Sequence, residues 1–208
     1  MEKIYQRNKH NFFDSLTAFF VSHASYPIAF RAQINGSINS YNANDKIGFA
    51  GFPDVSNIGI SLKPKNLMEI IAKDGWPTTL ELEVHNLDPN KRSKNFSKMP
   101  NTKLTGLQGL FNSTAVPMYV EYYESNINKV RKKFGNDPSN WPKVWNFGRV
   151  VRNAFSHGGE VFFSNPKSKL VSWKGLYYSP KDNGRQVLFN DMGIADVIIL
   201  LEEIDQVI

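Results

Sequence analysis

Apolar residues recur at helical spacing through Val144-Trp145-Asn146-Phe147-Gly148-Arg149-Val150-Val151-Arg152-Asn153-Ala154-Phe155-Ser156-His157, and Gly158-Gly159 then supplies the usual left-handed exit. With Arg149 at zero, Val150, Ala154, Phe147, Val151, Val144 and Phe155 fill the arc from about 100° to about 240°. Arg152, Ser156, Asn153 and His157 fall at about 300°, 340°, 40° and 80°. One face is therefore aliphatic and aromatic. The other carries two guanidinium groups, an amide, a hydroxyl and an imidazole.

The same periodicity marks other helices. Phe12, Phe13, Leu16, Phe19 and Phe20 predict one over residues 8–23, with His10 and His23 as boundary residues. A short helix is expected from Pro64 to Lys73, with proline at its start. Ala115–Phe134 is another, with Pro117 admissible only in its first turn and Gly135 just past its end. Met192–Val207 closes the sequence and is apolar on most sides, which implies deep packing or burial against a second copy.

Strand signals are weaker. Residues 35–66 are rich in Asn, Gly and Ser and hold no period, which predicts irregular structure with a short strand near Ile58–Leu62. Thr78-Thr79-Leu80-Glu81-Leu82-Glu83-Val84 alternates like a strand, although its Leu and Glu also form helices readily. Asp88 to Thr105 is polar, basic and proline-containing, as expected of a loop. Residues 160–190 predict two or three short strands, with Asn183-Gly184 a tight turn between Leu176-Tyr177-Tyr178 and Gln186-Val187-Leu188-Phe189.

Composition narrows the chemistry. The chain has 208 residues, 41% of them hydrophobic, enough to bury a core. It has no cysteine, which excludes disulfides, a thiolate nucleophile and cysteine-bound zinc or iron–sulfur centres. His10, His23, His85 and His157 lie far apart, and no metal or cofactor site is expected. No phosphate-binding glycine loop and no GxSxG turn occurs. The start of the chain lacks a basic-then-apolar signal, and the longest apolar run, Val197–Leu201, is too short for a membrane span, so a cytoplasmic location is expected.

A formal charge of +6 favours a polyanionic partner. Lys91, Arg92, Lys94 and Lys98 surround Phe96 in the polar loop, either as a solvated charge run or as a phosphate-tracking patch. Lys129, Arg131, Lys132 and Lys133 close a helix, where cations suit the dipole in any case. Trp173, Tyr177 and Tyr178 are able to stack nucleobases, but core packing under a hairpin is the favoured role.

The polar face of residues 144–159 has two readings. Its arginines can pair with carboxylates elsewhere in the fold, and a histidine in a last turn can simply satisfy terminal carbonyls. Alternatively the face binds an anion, with Arg149 and Ser156 positioning a phosphate backbone and His157 moving a proton near neutral pH.

Arg152-Asn153-Ala154-Phe155-Ser156-His157 resembles the R-x4–6-H motif of the HEPN superfamily, including the polar residue directly after the arginine. The residues after it (Trp173, Gly175-Leu176-Tyr177-Tyr178-Ser179, then Ala195-Asp196-Val197-Ile198) resemble the tail of one bacterial HEPN group, so the likeness spans about residues 114–208. The resemblance implies a mainly α fold: a HEPN-like helical bundle with a small β-hairpin insertion and an irregular α+β N-terminal elaboration. One domain, 1–208, would divide into the elaboration (1–113) and the motif-bearing core (114–208).

It also implies a metal-independent endoribonuclease that cleaves RNA by 2′-OH attack in a cleft shared by a homodimer, as a toxin or defence component with an antitoxin-type protein partner. His157 would be general acid or base, Arg152 would stabilise phosphoryl charge, and Asn153 would orient the imidazole or a phosphate oxygen. Arg152 and His157 stand about 140° apart on a regular helix, so either the last turn unwinds at the glycines or the two act from opposite subunits. The alternative implied function is a catalytically inactive HEPN module that binds nucleotide, RNA or protein.

Overall fold

The computed structural model describes residues 2–23, 47–52, 54–63, 77–88 and 106–208. Four strands, β1 (Glu2–Gln6), β2 (Ile47–Ala50), β3 (Ile58–Leu62) and β4 (Thr79–Asn86), make an antiparallel sheet in the order β1-β4-β3-β2. The helices among the described residues are α1 (residues 13–23), α2 (Gly106–Phe134), α3 (Lys143–Ser156) and α4 (Ile194–Asp205). A two-stranded hairpin, β5 (Val171–Trp173) and β6 (Leu176–Tyr178), lies between α3 and α4.

This is an α+β fold, which corrects the expectation of a mainly α bundle. The sheet was hard to read because its flanking strands bury so little each. In β1 only Tyr5 is fully buried, and in β2 Phe49 is buried between exposed Gly48 and Ala50. One inward residue gives no period; pairing with β3 and β4 makes these segments strands. In β4 the alternation decides against helix, with Leu80, Leu82 and Val84 inward and Glu81 and Glu83 partly exposed. Ile58–Leu62 is the strand expected there. The expected helix Pro64–Lys73 lies outside the described residues, as does most of the loop Asp88–Thr105.

Other boundaries shift for local reasons. Helix α1 begins at residue 13 because a turn precedes it, where the Gln6 N–H donates to His10 Nδ1 at 3.0 Å. Helix α2 starts at Gly106, which places Pro117 well inside it and not in its first turn. Pro117 is exposed, so its ring faces solvent. The hairpin turns at Lys174-Gly175, whose φ angles of 42° and 82° suit a two-residue turn between twisted strands. Asn183-Gly184 is a turn too, but it does not pair Leu176–Tyr178 with 186–189. The 3-10 turn Pro180–Asp182 diverts the chain, and residues 185–187 pair with 159–161 through Val161 N–H to Arg185 O and Val187 N–H to Gly159 O, both 2.9 Å.

Helix α4 is the hub. Every residue from Ile194 to Leu201 is buried within this one chain, so deep packing accounts for its apolar surface and no apolar face is left over for a second copy. Its polar groups each reach a different element. Glu202 accepts from Lys3 and from Tyr5 Oη at 3.3 Å on β1. Glu203 accepts from Trp173 Nε1 at 2.7 Å and pairs with Lys174 at 2.9 Å on the hairpin. Asp205 accepts from Asn11 Nδ2 and from Tyr122 Oη of α2, each at 2.8 Å. The Ile204 carbonyl accepts from Trp145 Nε1 of α3 at 2.7 Å.

His23 closes α1 inside an aromatic nest. It is 5% exposed, its Nε2 lies 2.8 Å from Thr114 Oγ1, and its ring packs on Phe19, Phe49 and Phe111 at centroid distances of 4.4, 5.4 and 4.7 Å. Burial pushes its pKa down to about 4. As pH falls, the unfolded chain takes up this proton first. The stability contributed by the neutral ring is complete above about pH 6.5 and is lost by about pH 4. Urea melts should show His23→Leu losing less stability than wild type across that window, by about 2–3 kcal/mol. Parallel pH profiles would refute the assignment.

Candidate active site

Helix α3 is set in place before its polar face is reached. Asp137 caps the preceding 3-10 turn by accepting from Ser139 N–H at 2.8 Å, and Asn146 Nδ2 donates to Pro138 O at 2.8 Å. Phe147, Val150, Val151, Ala154 and Phe155 are buried, as the apolar arc drawn from the sequence requires, with Gly148 just beyond it and Val144 at its half-buried edge. Trp145, which falls at about 320° among the polar residues, is buried as well, because α4 packs over it and Ile204 O takes its indole N–H. Tyr119 and Tyr123 of α2 clamp the helix by donating to Gly148 O at 3.3 Å and to Trp145 O at 3.2 Å.

The polar face divides into a paired part and an open part. Arg149 is half-buried and its Nε donates to Asn146 Oδ1 at 3.1 Å. Arg152 forms an ion pair with Glu124 of α2 and donates through Nη1 to Asn153 Oδ1 at 3.1 Å; its Nε is buried with no hydrogen-bond partner. Ser156 and His157 are exposed. Helix α3 ends at Ser156, and His157 has left helical geometry, with φ −121° and ψ 39°. Gly158 and Gly159 follow at φ +84° and +89°, and Ala154 O accepts from both His157 N–H and Gly159 N–H, at 3.0 and 2.8 Å. The chain thus unwinds at the glycines, and the separation expected on a regular helix does not describe Arg152 and His157. The imidazole packs at 5.6 Å against Phe162, which is itself exposed.

Glu124 changes the charge balance of the face. Sequence placed no acid beside the two arginines; the structure brings one from the neighbouring helix. On the α2–α3 seam, burial pushes the Tyr123 phenol up, against the pull of Arg149, Arg152 and Arg131 and with a smaller push from Glu124. Glu124, at the solvent edge, is the residue paired with Arg152 there. Nothing in the sequence tied it to Arg152 across 28 residues.

The remaining sequence candidates sort by position. Lys91, Arg92 and Lys94 lie outside the described residues, as does Lys98. At the end of α2, Lys129 donates to Asn11 Oδ1 at 2.8 Å and Lys133 to Val207 O at 2.9 Å, so both tie elements together. Trp173 and Tyr178 are core residues packed on Phe147, the first tilted at 5.7 Å and the second stacked at 5.4 Å, while Tyr177 is exposed on the hairpin. Among the described residues no three His, Asp or Glu side chains converge as a metal site would require. No helix among them is long and apolar enough to cross a membrane.

In chemical terms the face offers a held guanidinium whose present partner is a carboxylate, the nearest side-chain analogue of a phosphate, and an accessible imidazole one turn on. The chain matches no family model, no curated protein and no solved structure.

Gly148 makes the α2–α3 seam testable. A Cβ there would stand 2.7 Å from Tyr119 Oη, so Gly148→Ala should destabilise the fold by about 1–3 kcal/mol in urea melts. Adding Tyr119→Phe should recover part of that loss; no recovery would mean the clash lies elsewhere.

Proposed function

We propose that this protein is an endoribonuclease that cuts RNA by internal transesterification, with Arg152 and His157 as its central groups. The observation that carries the proposal is a carboxylate-held guanidinium on α3 followed, just past the end of that helix, by an exposed imidazole, in the order and spacing of the HEPN motif. In the reaction the ribose 2′-oxygen forms a bond to phosphorus and the bond to the 5′-oxygen breaks, leaving a 2′,3′-cyclic phosphate and a 5′-hydroxyl. His157 takes the 2′-OH proton or returns one to the leaving oxygen, a role worth about 10²–10⁴-fold. Arg152 exchanges Glu124 for the phosphoryl oxygens and stabilises their charge. Asn153 keeps the guanidinium oriented, and Arg149 holds the adjoining backbone phosphate.

Each chain presents one such imidazole, whereas the reaction uses both a base and an acid. The proposal therefore includes a twofold homodimer meeting at the exposed end of α3, so that two His157 rings share a cleft. Since α4 is spent inside the fold, the exposed end of α3 at Ser156 and His157 forms that contact.

His157→Ala and Arg152→Ala should each abolish cleavage of single-stranded RNA in EDTA, the exposed His157→Ala without lowering the melting temperature, and wild-type products should carry a cyclic phosphate. Mixing His157→Ala subunits with wild type should depress activity beyond dilution. Metal-dependent cutting, or cleavage surviving both substitutions, would overturn the mechanism.

A second reading, a binding module without nuclease activity, draws on the Arg152–Glu124 pair, because a guanidinium already satisfied by a carboxylate also serves a purely structural end. Cleavage in EDTA separates the two readings, and Glu124 tests whether Arg152 takes part in RNA binding under either. If phosphate replaces its carboxylate, Glu124→Gln should tighten binding of a 2′-O-methyl RNA single strand by roughly fivefold in fluorescence anisotropy, as removal of a half-exposed competing charge predicts. An unchanged affinity would place Arg152 outside the contact.

A further inference from the structure

Beyond the glycines the chain runs back along residues 183–187 and alternates in burial. Val161 and Phe163 are 1% and 7% exposed, while Phe162 between them is 48% exposed. Its neighbours fix it there. Val161 N–H donates to Arg185 O and Val161 O accepts from Gly184 N–H, both at 2.9 Å. Phe163 N–H donates to Asn183 Oδ1 at 2.8 Å, and Asn183 Nδ2 donates back to Phe163 O at 3.1 Å. With the backbone pinned on both sides and the inward places filled, the Phe162 ring turns outward beside His157. The two rings stand 5.6 Å apart with 50° between their planes.

A benzyl group held half in water is uninformative alone, since single exposed apolar side chains are common. Its position is what distinguishes it. Ile4, Leu170 and Tyr177 are also large, apolar and exposed, but among the described residues Phe162 is the exposed aromatic in ring contact with the motif. An imidazole that handles a ribose proton needs that ribose held still. A nucleotide whose base lies flat on a neighbouring ring carries its sugar and 3′-phosphate only a few bonds away. Aromatic side chains bind bases in this way with little regard to sequence, because every base has a π-face.

We propose that Phe162 is a base-stacking residue that positions the nucleotide beside His157, and that it restricts the substrate to unpaired RNA. The inference rests on the ribonuclease reading for the chemistry at His157, but stacking is a binding property that stands or falls separately. In an A-form duplex each base is already stacked on both sides, so its face is closed to Phe162. In a loop or single strand the face is free.

The test is the affinity of the full chain for a short 2′-O-methyl RNA, which binds but cannot be cut, measured by anisotropy for wild type and for Phe162→Trp, Phe162→Leu and Phe162→Ala. Phe162→Trp should bind as well as wild type or better. Phe162→Ala should weaken binding by about 5- to 150-fold, the range that corresponds to about 1–3 kcal/mol of stacking. Phe162→Leu, which keeps apolar bulk but has no aromatic face, should behave like Phe162→Ala. The loss should vanish against an oligonucleotide made abasic throughout and against a duplex of the same sequence. Melting temperatures should be unchanged, because the side chain is half in solvent.

Wild-type affinity in Phe162→Ala or in Phe162→Leu would overturn the stacking role, as would equal binding of duplex and single strand or no binding by wild type. RNA cleavage persisting in an unaffected Phe162→Ala chain would leave the ribonuclease reading in place without Phe162. Phe162-dependent binding with no cleavage of ordinary RNA would do the reverse.

Discussion

The carboxylate of Asp196 is fully buried, and an isolated charge there would be prohibitively costly. It is kept by its donors. Phe52 N–H at 2.7 Å, Ser56 N–H at 3.2 Å and the Ser56 hydroxyl reach it from the turn between β2 and β3, and Gly193 N–H reaches it at 2.8 Å from the start of its own helix. Burial pushes the carboxyl pKa up while these donors pull it back down. The helix N-terminus adds a favourable dipole. Two glycines make the approach close enough. A Cβ on Gly193 would lie 2.2 Å from Ala50 O, and one on Gly51 would lie 2.5 Å from Asp196 Oδ1. Everything else on α4 is aligned by this joint.

From there the positions of the proposed active groups follow by contact. With α4 fixed against the sheet, its Ile204 carbonyl takes the Trp145 indole and so fixes the start of α3. Tyr119 and Tyr123 press α3 from the other side and set Glu124 level with Arg152. Arg152 is thus held at the solvent edge of a packed seam, and His157 lies where the helix geometry gives out. A rigid guanidinium and a reachable imidazole need these different settings, because charge stabilisation rewards fixed geometry and proton transfer rewards access.

Helix α3 was legible because its signal is local: a continuous 3.6-residue period, Gly158-Gly159 at the stop, and a polar arc unlike an ordinary Lys/Glu face. β4 was legible through its alternation. What stayed hidden was long-range. β1 and β2 carry one buried ring each and become strands by pairing with β4 and β3. Asp196 reads as an ordinary first-turn acid until Ser56 is brought to it, and Glu124 as an ordinary solvated acid until Arg152 is. The polar arc missed Trp145, which lies within it and is buried under α4, and its lack of a counter-charge was a property of one helix and not of the helix pair. Pro117 shows the opposite error, since a local rule placed a helix start nine residues too late (115 against 106) where an outward-facing ring is tolerated.

The hub helix also bears on how the molecule comes to exist. Its partners are remote along the chain: Asp196 is 144 residues from Phe52, Glu202 is 197 from Tyr5, and Asp205 is 194 from Asn11. Closing loops of this size costs entropy before any contact repays it, so topology of this kind folds slowly. On a ribosome, which releases the N-terminal side first, the sheet would emerge long before the helix that covers it. Until residues 194–205 appear, the part of β2 and β3 that α4 covers stays open, and this interval is when nascent chains would be most prone to aggregate or to engage chaperones.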